Sequence, residues 1–276
     1  MKAAFYTTHG PAADVIQIGD QPTPTPQAGE VLVRLKSSGA NPSDVKSRAR
    51  PMAFPTVIPH SDGAGVIEAV GEGVDQSRIG QNVWLWNGQW QRPFGTCAQY
   101  IALPSEQAVN LPETTSFVEA ACLGIPAMTA YRTVFADGPV EGQKILVSGG
   151  AGSVSRYAIQ MAKLGGAEVI TTVSNDEKAA YARAAGADHT VNYRDETAAE
   201  QILDLTGGGT HRAIELELGV NINLLTEVMR PNGTIAAYGS AQSFTPEIPF
   251  IQMMFKDLTM SAILVYRLTP EARADT

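Results

Sequence analysis

The chain has 276 residues, 44% hydrophobic and 17% charged, with a formal net charge of −8, a size between one large domain and two ordinary ones. The acidic balance, with no basic face visible in the sequence, argues against nucleic acid as a main partner. No apolar run approaches the roughly 20 residues that span a bilayer, and the opening MKAAFYTTHG lacks a signal peptide's regions, so the expectation is a cytoplasmic protein without a membrane partner.

In chain order, the first part reads as antiparallel β. Strands are expected over 3–6, 30–36, 64–70, 83–86 and 98–102, with a proline-rich connector over 22–26. Glu30 to Lys36 alternates as a half-buried strand does, and short strands at this spacing suggest a sandwich or small barrel. Near residue 113 the pattern changes, with helical stretches over 116–123 and 128–135. Strands at 144–148, 168–173, 189–193, 213–218, 233–239 and 259–266 then alternate with helical stretches at 153–164, 176–185, 196–205 and 221–229. That alternation means a parallel sheet with right-handed crossovers. Cys97 and Cys122 lack CxxC spacing and read as small buried hydrophobes in a reducing compartment rather than as a disulfide.

The richest stretch is KILVSGGAGSVS, 144–155, which runs from an apolar strand through glycines into a helical pattern. An α/β sheet holds a dinucleotide pyrophosphate at such a turn, because backbone must approach the phosphates without a Cβ in the way. Gly149 and Gly152 supply two of the required positions, and Ser155 stands at the third. The next strand ends at Ser174, where a carboxylate would hold a free ribose 2′-hydroxyl. A neutral Ser174 with Lys178 one helical turn on suits a 2′-phosphate instead, favouring NADPH over NADH. The same residues also read as a helix N-cap, Ser174, with Glu177 completing a capping box. Gly239 and Ser240 follow a strand at the carboxyl edge, where open sheets bind ligand.

The chain resembles the medium-chain dehydrogenase/reductase superfamily, and within it the zinc-free NADPH:quinone oxidoreductases related to zeta-crystallin. GEVLVRLKSSGANPSDVKSR (29–48), IPHSDGAGVIEAVGEGV (58–74), LGIPAMTAYRTVF (123–135) and the long stretch 145–196 carry the match, with HRAIELELG and PNGTIAAYGS later. The resemblance implies an α/β protein: a GroES-like catalytic domain over 1–122, a Rossmann NADP(H)-binding domain over 123–276, and an active cleft between them. It implies hydride transfer from NADPH to a small-molecule quinone or α,β-unsaturated carbonyl compound. The alternative is a non-catalytic NADPH-binding structural or regulatory protein, since relatives serve as lens crystallins.

By the same resemblance, Asn41 and Thr129 are the catalytic and nicotinamide-side residues. Gly149, Ala151, Gly152, Ser153 and Val154 form the cofactor turn, and Ser174, Lys178, Tyr193, Gly239, Ser240 and Val265 contact the rest of the cofactor. Each has a plainer alternative: Asn41 to Asp44 is also an Asx-turn and helix cap, and Thr129 could bond a backbone carbonyl. Lys46 falls where many relatives carry an aromatic residue. Zinc-containing relatives place ligands where this chain has Pro42, Ser43, Ser61 and Asp62, and Cys97 has no partner thiols; no metal is expected. Ser155 in place of the family's third glycine is expected to crowd the helix start slightly while adding a hydroxyl, with cofactor binding surviving. The family's C-terminal return segment is absent after Thr276, which should loosen the domain interface and expose a sheet edge. The run over 259–266 is expected to pair across a twofold axis in a homodimer.

Overall fold

The computed structural model of the chain describes residues 1–276, and these divide into two compact units, Met1–Pro126 and Ala127–Thr276. In the first unit β1 (Lys2–Phe5) pairs antiparallel with β2 (Gln17–Asp20), the two being joined through the short helix α1 (Ala12–Val15). The strands β3 (Glu30–Gly39), β4 (Asp62–Val70), β5 (Asn82–Leu85), β6 (Tyr100–Pro104) and β7 (Ala108–Asn110) form one antiparallel sheet in the order β6-β3-β4-β5-β7. The alternation read at 30–36 appears directly as burial. Val31 and Val33 are fully buried, whereas Arg34 lies on the other face and pairs with Glu68 of β4. Val31 and Val33 join Ile67, Val83, Leu85, Ile101 and Leu103 in one core, each full burial contributing about 1.5–3 kcal/mol. Three further helices start in this unit: α2 (Pro42–Arg48), α3 (Phe117–Ala120) and α4 (Gly124–Phe135).

The second unit holds six parallel strands, β8 (Lys144–Val147), β9 (Glu168–Val173), β10 (His189–Asn192), β11 (Thr210–Glu215), β12 (Met229–Ala237) and β13 (Thr259–Ala262). Their order is β10-β9-β8-β11-β12-β13. The chain thus winds outward from β8 to β10, then returns to β11 and winds the other way. α5 (Ser153–Leu164), α6 (Asp176–Ala184), α7 (Ala198–Thr206) and α8 (Leu218–Val228) connect these strands, and α9 (Phe250–Phe255) and α10 (Pro270–Ala274) follow. After Lys144, β8 is apolar because both its faces are covered. Ile145 and Val147 pack with Ala158, Ile159 and Ala162 of α5. Leu146 packs with Ile202 of α7 and with Ile222 and Leu225 of α8.

Several sequence expectations shift for identifiable reasons. β11 starts at Thr210 rather than 213, because the polar Arg212 is buried with Asp137 (2.6 Å) and the Thr133 carbonyl (3.1 Å) as partners. The strand expected over 259–266 ends at Ala262, and Val265–Arg267 forms a 3-10 turn. Its neighbour β12 stops at Ala237, whose carbonyl takes the last ladder bond from Ile263 N–H (2.8 Å). Beyond that point no backbone is left to pair. The cysteines are free thiols, yet Cys122 is exposed and Cys97 half-buried, so neither is a buried hydrophobe. No helix is long and apolar enough to cross a membrane.

Candidate functional site

After Val147 the chain must leave the sheet and enter α5 within a few residues. Gly149 takes φ +63°, and a Cβ there would stand 2.4 Å from Leu216 Cδ2. A Cβ on Gly150 would stand 2.2 Å from Thr171 Oγ1, a hydroxyl held by the Val147 carbonyl (2.6 Å). Gly149 N–H donates to Thr172 Oγ1 (3.0 Å) and Gly150 N–H to the Thr172 carbonyl (2.9 Å), so the turn is pinned to the neighbouring strand. Gly152 is the N-cap of α5, with no side-chain cap and no acidic residue in the first turn. The opening amides of the helix are therefore available to an anion.

Ser155 does not crowd the turn. It is fully buried, and its hydroxyl donates to the Ser148 carbonyl (2.9 Å), tying helix to strand end. It also bonds Tyr238, whose phenol is pushed up to about 12, chiefly by burial.

A cavity of about 440 Å³ opens at this carboxyl edge, where the winding reverses between β8 and β11. Open α/β sheets take ligands at such a reversal. Gly149, Ala151 and Gly152 line it from the turn, Ser174 and Lys178 from the end of β9 and α6, and Tyr193 from the end of β10. Lys178 Nζ donates to Ser174 Oγ at 2.9 Å. The N-cap of α6 is Asn175, whose side chain accepts from Lys178 N–H (2.9 Å). Ser174 is thus not the helix cap that the alternative reading required, and its hydroxyl faces the ammonium. Arg194 lies 5.9 Å from the half-exposed Tyr193 ring.

The other residues of the second unit expected at the cofactor do not line this cavity. Ser153 is exposed at the start of α5, and Val154 packs against the α5 core. Gly239 and Ser240 bond the start of α8 rather than line the cavity. Val265 is buried in its 3-10 turn, and Thr129 is buried on α4; neither is in the lining. Sequence reading missed the opposite wall, formed by Leu216, Glu217, Val220, Asn221 and Gln242. An acidic residue at the start of a helical pattern was the one available signal for Glu217. Beneath it, Glu215 accepts from Ser148 Oγ, Asn221 Nδ2 (2.9 Å) and the Glu217 amide. Burial pushes the Glu215 carboxyl up, and these three donors oppose the shift.

In the first unit a second polar group gathers around Asp62. Its carboxylate accepts from Asn41 Nδ2 (2.7 Å) and from Ile125 N–H at the start of α4 (2.9 Å). Burial pushes its pKa up to about 7. Asn41 caps α2, and its own amide N–H donates to Asp44 (2.7 Å), as the capping alternative has it. Burial raises the Asp44 carboxyl and lowers His60. Trp86 is buried and Trp84 packs against Ala64 and Ala120, so both serve the core of this unit.

These residues do not fit a zinc centre. Nowhere do three His, Cys, Asp or Glu side chains converge. His60 Nδ1 is bonded to Ser38 Oγ (2.9 Å), and both Asp62 oxygens are taken by Asn41 and Ile125.

Residues 27–113 match the family model for the alcohol dehydrogenase GroES-like domain, and residues 153–275 match that for zinc-binding dehydrogenase. A zinc-type alcohol dehydrogenase-like protein of Schizosaccharomyces pombe is 32% identical over 295 residues, covering 95% of this chain and 85% of that protein. The solved quinone oxidoreductase of Pseudomonas syringae is 30% identical with a TM-score of 0.85, covering 96% of this chain and 81% of its own. A mycobacterial structure complexed with NADPH is 26% identical, TM-score 0.85, over 96% of this chain and 82% of that one.

Proposed function

The chain belongs to the medium-chain dehydrogenase/reductase superfamily, and on that premise we propose an NADPH-dependent oxidoreductase that delivers hydride to quinones or α,β-unsaturated carbonyl compounds without a metal. The observation that carries the cofactor choice is the Lys178–Ser174 pair, 2.9 Å apart on the wall of the dinucleotide cavity. At the same strand end a carboxylate would repel a 2′-phosphate. An ammonium beside a hydroxyl offers it charge and a second donor. The quinone oxidoreductase relative supports the substrate class, and the NADPH complex of the mycobacterial neighbour supports the coenzyme.

When bound, NADPH supplies the hydride. Gly149, Gly152 and the opening amides of α5 would hold its diphosphate, and Ser174 with Lys178 would hold its adenosine phosphate. Asn41 Nδ2 keeps one hydrogen on Asp62 and has a second to give to the acceptor oxygen, where negative charge develops. Thr129 is the proposed contact to the nicotinamide. No strong acid is needed, because the acceptor delocalises its charge onto oxygen.

Titration with NADPH and NADH, followed by stopped-flow oxidation with one quinone and one enone, tests the reading. The expected outcome is tighter NADPH binding and turnover unaffected by a chelator. Tighter NADH binding overturns the cofactor choice, absence of turnover leaves a binding protein, and stoichiometric zinc overturns metal independence. The proposal extends to self-association along β13, supported by exposed Phe250, Phe255 and Met260 on the segments at this sheet end. Light scattering that finds a strict monomer at all concentrations overturns that part.

A further inference from the structure

The segment 239–243 is fastened to the start of α8 by bonds running in both directions. The opening amides of the helix donate outward, Leu218 N–H to the Gly239 carbonyl (3.0 Å) and Gly219 N–H to Ser240 Oγ (2.9 Å). Glu217, in the N-cap position, works the opposite way: its two carboxylate oxygens accept from Ala241 N–H and Gln242 N–H, each at 2.9 Å. Ser240 Oγ then closes onto the Ser243 carbonyl. The backbone is shaped for this approach. A Cβ on Gly219 would stand 2.5 Å from Ser243 Cβ, and one on Gly239 would stand 2.3 Å from the Leu216 carbonyl oxygen.

Glu217 is only 9% exposed. A carboxylate that deep needs both oxygens bonded, and the two loop amides satisfy that need. Its charge also sits at the favourable end of the α8 dipole. The inner side of this clasp is a wall of the 440 Å³ cavity, through Glu217, Asn221 and Gln242. The opposite wall is the Ser174–Lys178 pair at β9. From β9 to β12 is three strand steps, or ~14 Å at ~4.8 Å per step, a span suited to the two halves of a dinucleotide.

We propose that Glu217 is a positioning residue that holds Gln242 against the nicotinamide half of the coenzyme, and so sets affinity for the whole dinucleotide but not for its adenosine half. The inference rests on the cofactor reading of this cavity. A structural role alone would weaken both halves together, whereas a clasp on one wall separates them.

The test measures dissociation constants of the full chain for NADPH, by fluorescence, and for 2′,5′-ADP, by calorimetry, in wild type, Glu217→Ala, Glu217→Gln and Gln242→Ala. Glu217→Ala is expected to weaken NADPH by ~10-fold, the scale of one lost hydrogen bond, while 2′,5′-ADP stays within about twofold. Glu217→Gln keeps one acceptor oxygen and should lose less; Gln242→Ala should reproduce part of the loss. Wild-type NADPH affinity in Glu217→Ala, or equal losses for both probes, overturns the inference. Should Glu217→Ala fail to fold, the same comparison in Glu217→Gln and Gln242→Ala decides. A wild type that binds neither probe overturns the cofactor reading and this inference with it, which separates the two failures.

Discussion

The glycine turn of the second unit and the Asp62 group of the first are built on opposite plans. The turn is made of backbone: Gly149, Gly150 and Gly152 bring amides together by having no side chains, and any anion at the uncapped start of α5 has to come from outside. The Asp62 group is made of side chains, and its anion is its own. One carboxylate, 1% exposed, is held by Asn41 and the Ile125 amide. A backbone site tolerates little change in residue volume, whereas a buried carboxylate is sensitive to protons. The two should therefore fail in different ways.

The largest effect should come from the proton. Burial holds the Asp62 pKa at about 7 rather than 3.8, so between those values the native state keeps a proton that the unfolded chain releases. The contribution of Asp62 is then fully present at the acid end of that window and falls as pH rises through it, by ~1.4 kcal/mol per unit and ~4 kcal/mol in all. Urea unfolding from pH 4 to 8 should show this component in wild type and a clearly smaller fall in Asp62→Asn. Equal slopes in both would remove the contrast. Next, Gly150→Val drives its Cβ into the buried Thr171, 2.2 Å from its hydroxyl, and overpacking of this kind costs ~1–3 kcal/mol. The loss should appear in the melting temperature at every pH, with NADPH binding abolished.

Lys178→Ala sharpens the comparison by leaving the turn intact. Removing one charged contact to a phosphate should weaken NADPH by ~2 kcal/mol, or roughly 30-fold, and leave NADH unchanged. Equal losses for the two coenzymes would show that Lys178 does not read the 2′-phosphate. The smallest effect is expected at Ser155→Gly. The family's glycine should here destabilise by ~1 kcal/mol, because the bond to the Ser148 carbonyl is lost and a glycine enters α5. A thermal shift upward would mean that the hydroxyl crowds the turn after all.

Much of the frame could be read before folding was considered. The alternation at Val31 and Val33, the continuous apolar run at Ile145 to Val147 and the glycine spacing each report local geometry, so strands, order of elements and the glycine turn emerged within a few residues. Partnered polar residues were illegible. Arg212 concealed the start of β11 because its neutralising Asp137 is 75 positions away, and β13 ended early because its neighbour did. The cap of α6 fell to Asn175, one residue from the serine that a capping box suggested.

By itself the sequence determined the class of each unit, the glycine turn between β8 and α5 and the Ser174–Lys178 strand end, since all depend on neighbours along the chain. Only tertiary structure decided that Ser155 bonds the Ser148 carbonyl, that Glu217 and Gln242 form the second wall, and that Asp62 holds Asn41. Those depend on burial and on donors supplied from distant segments, and neither quantity exists until the chain has folded.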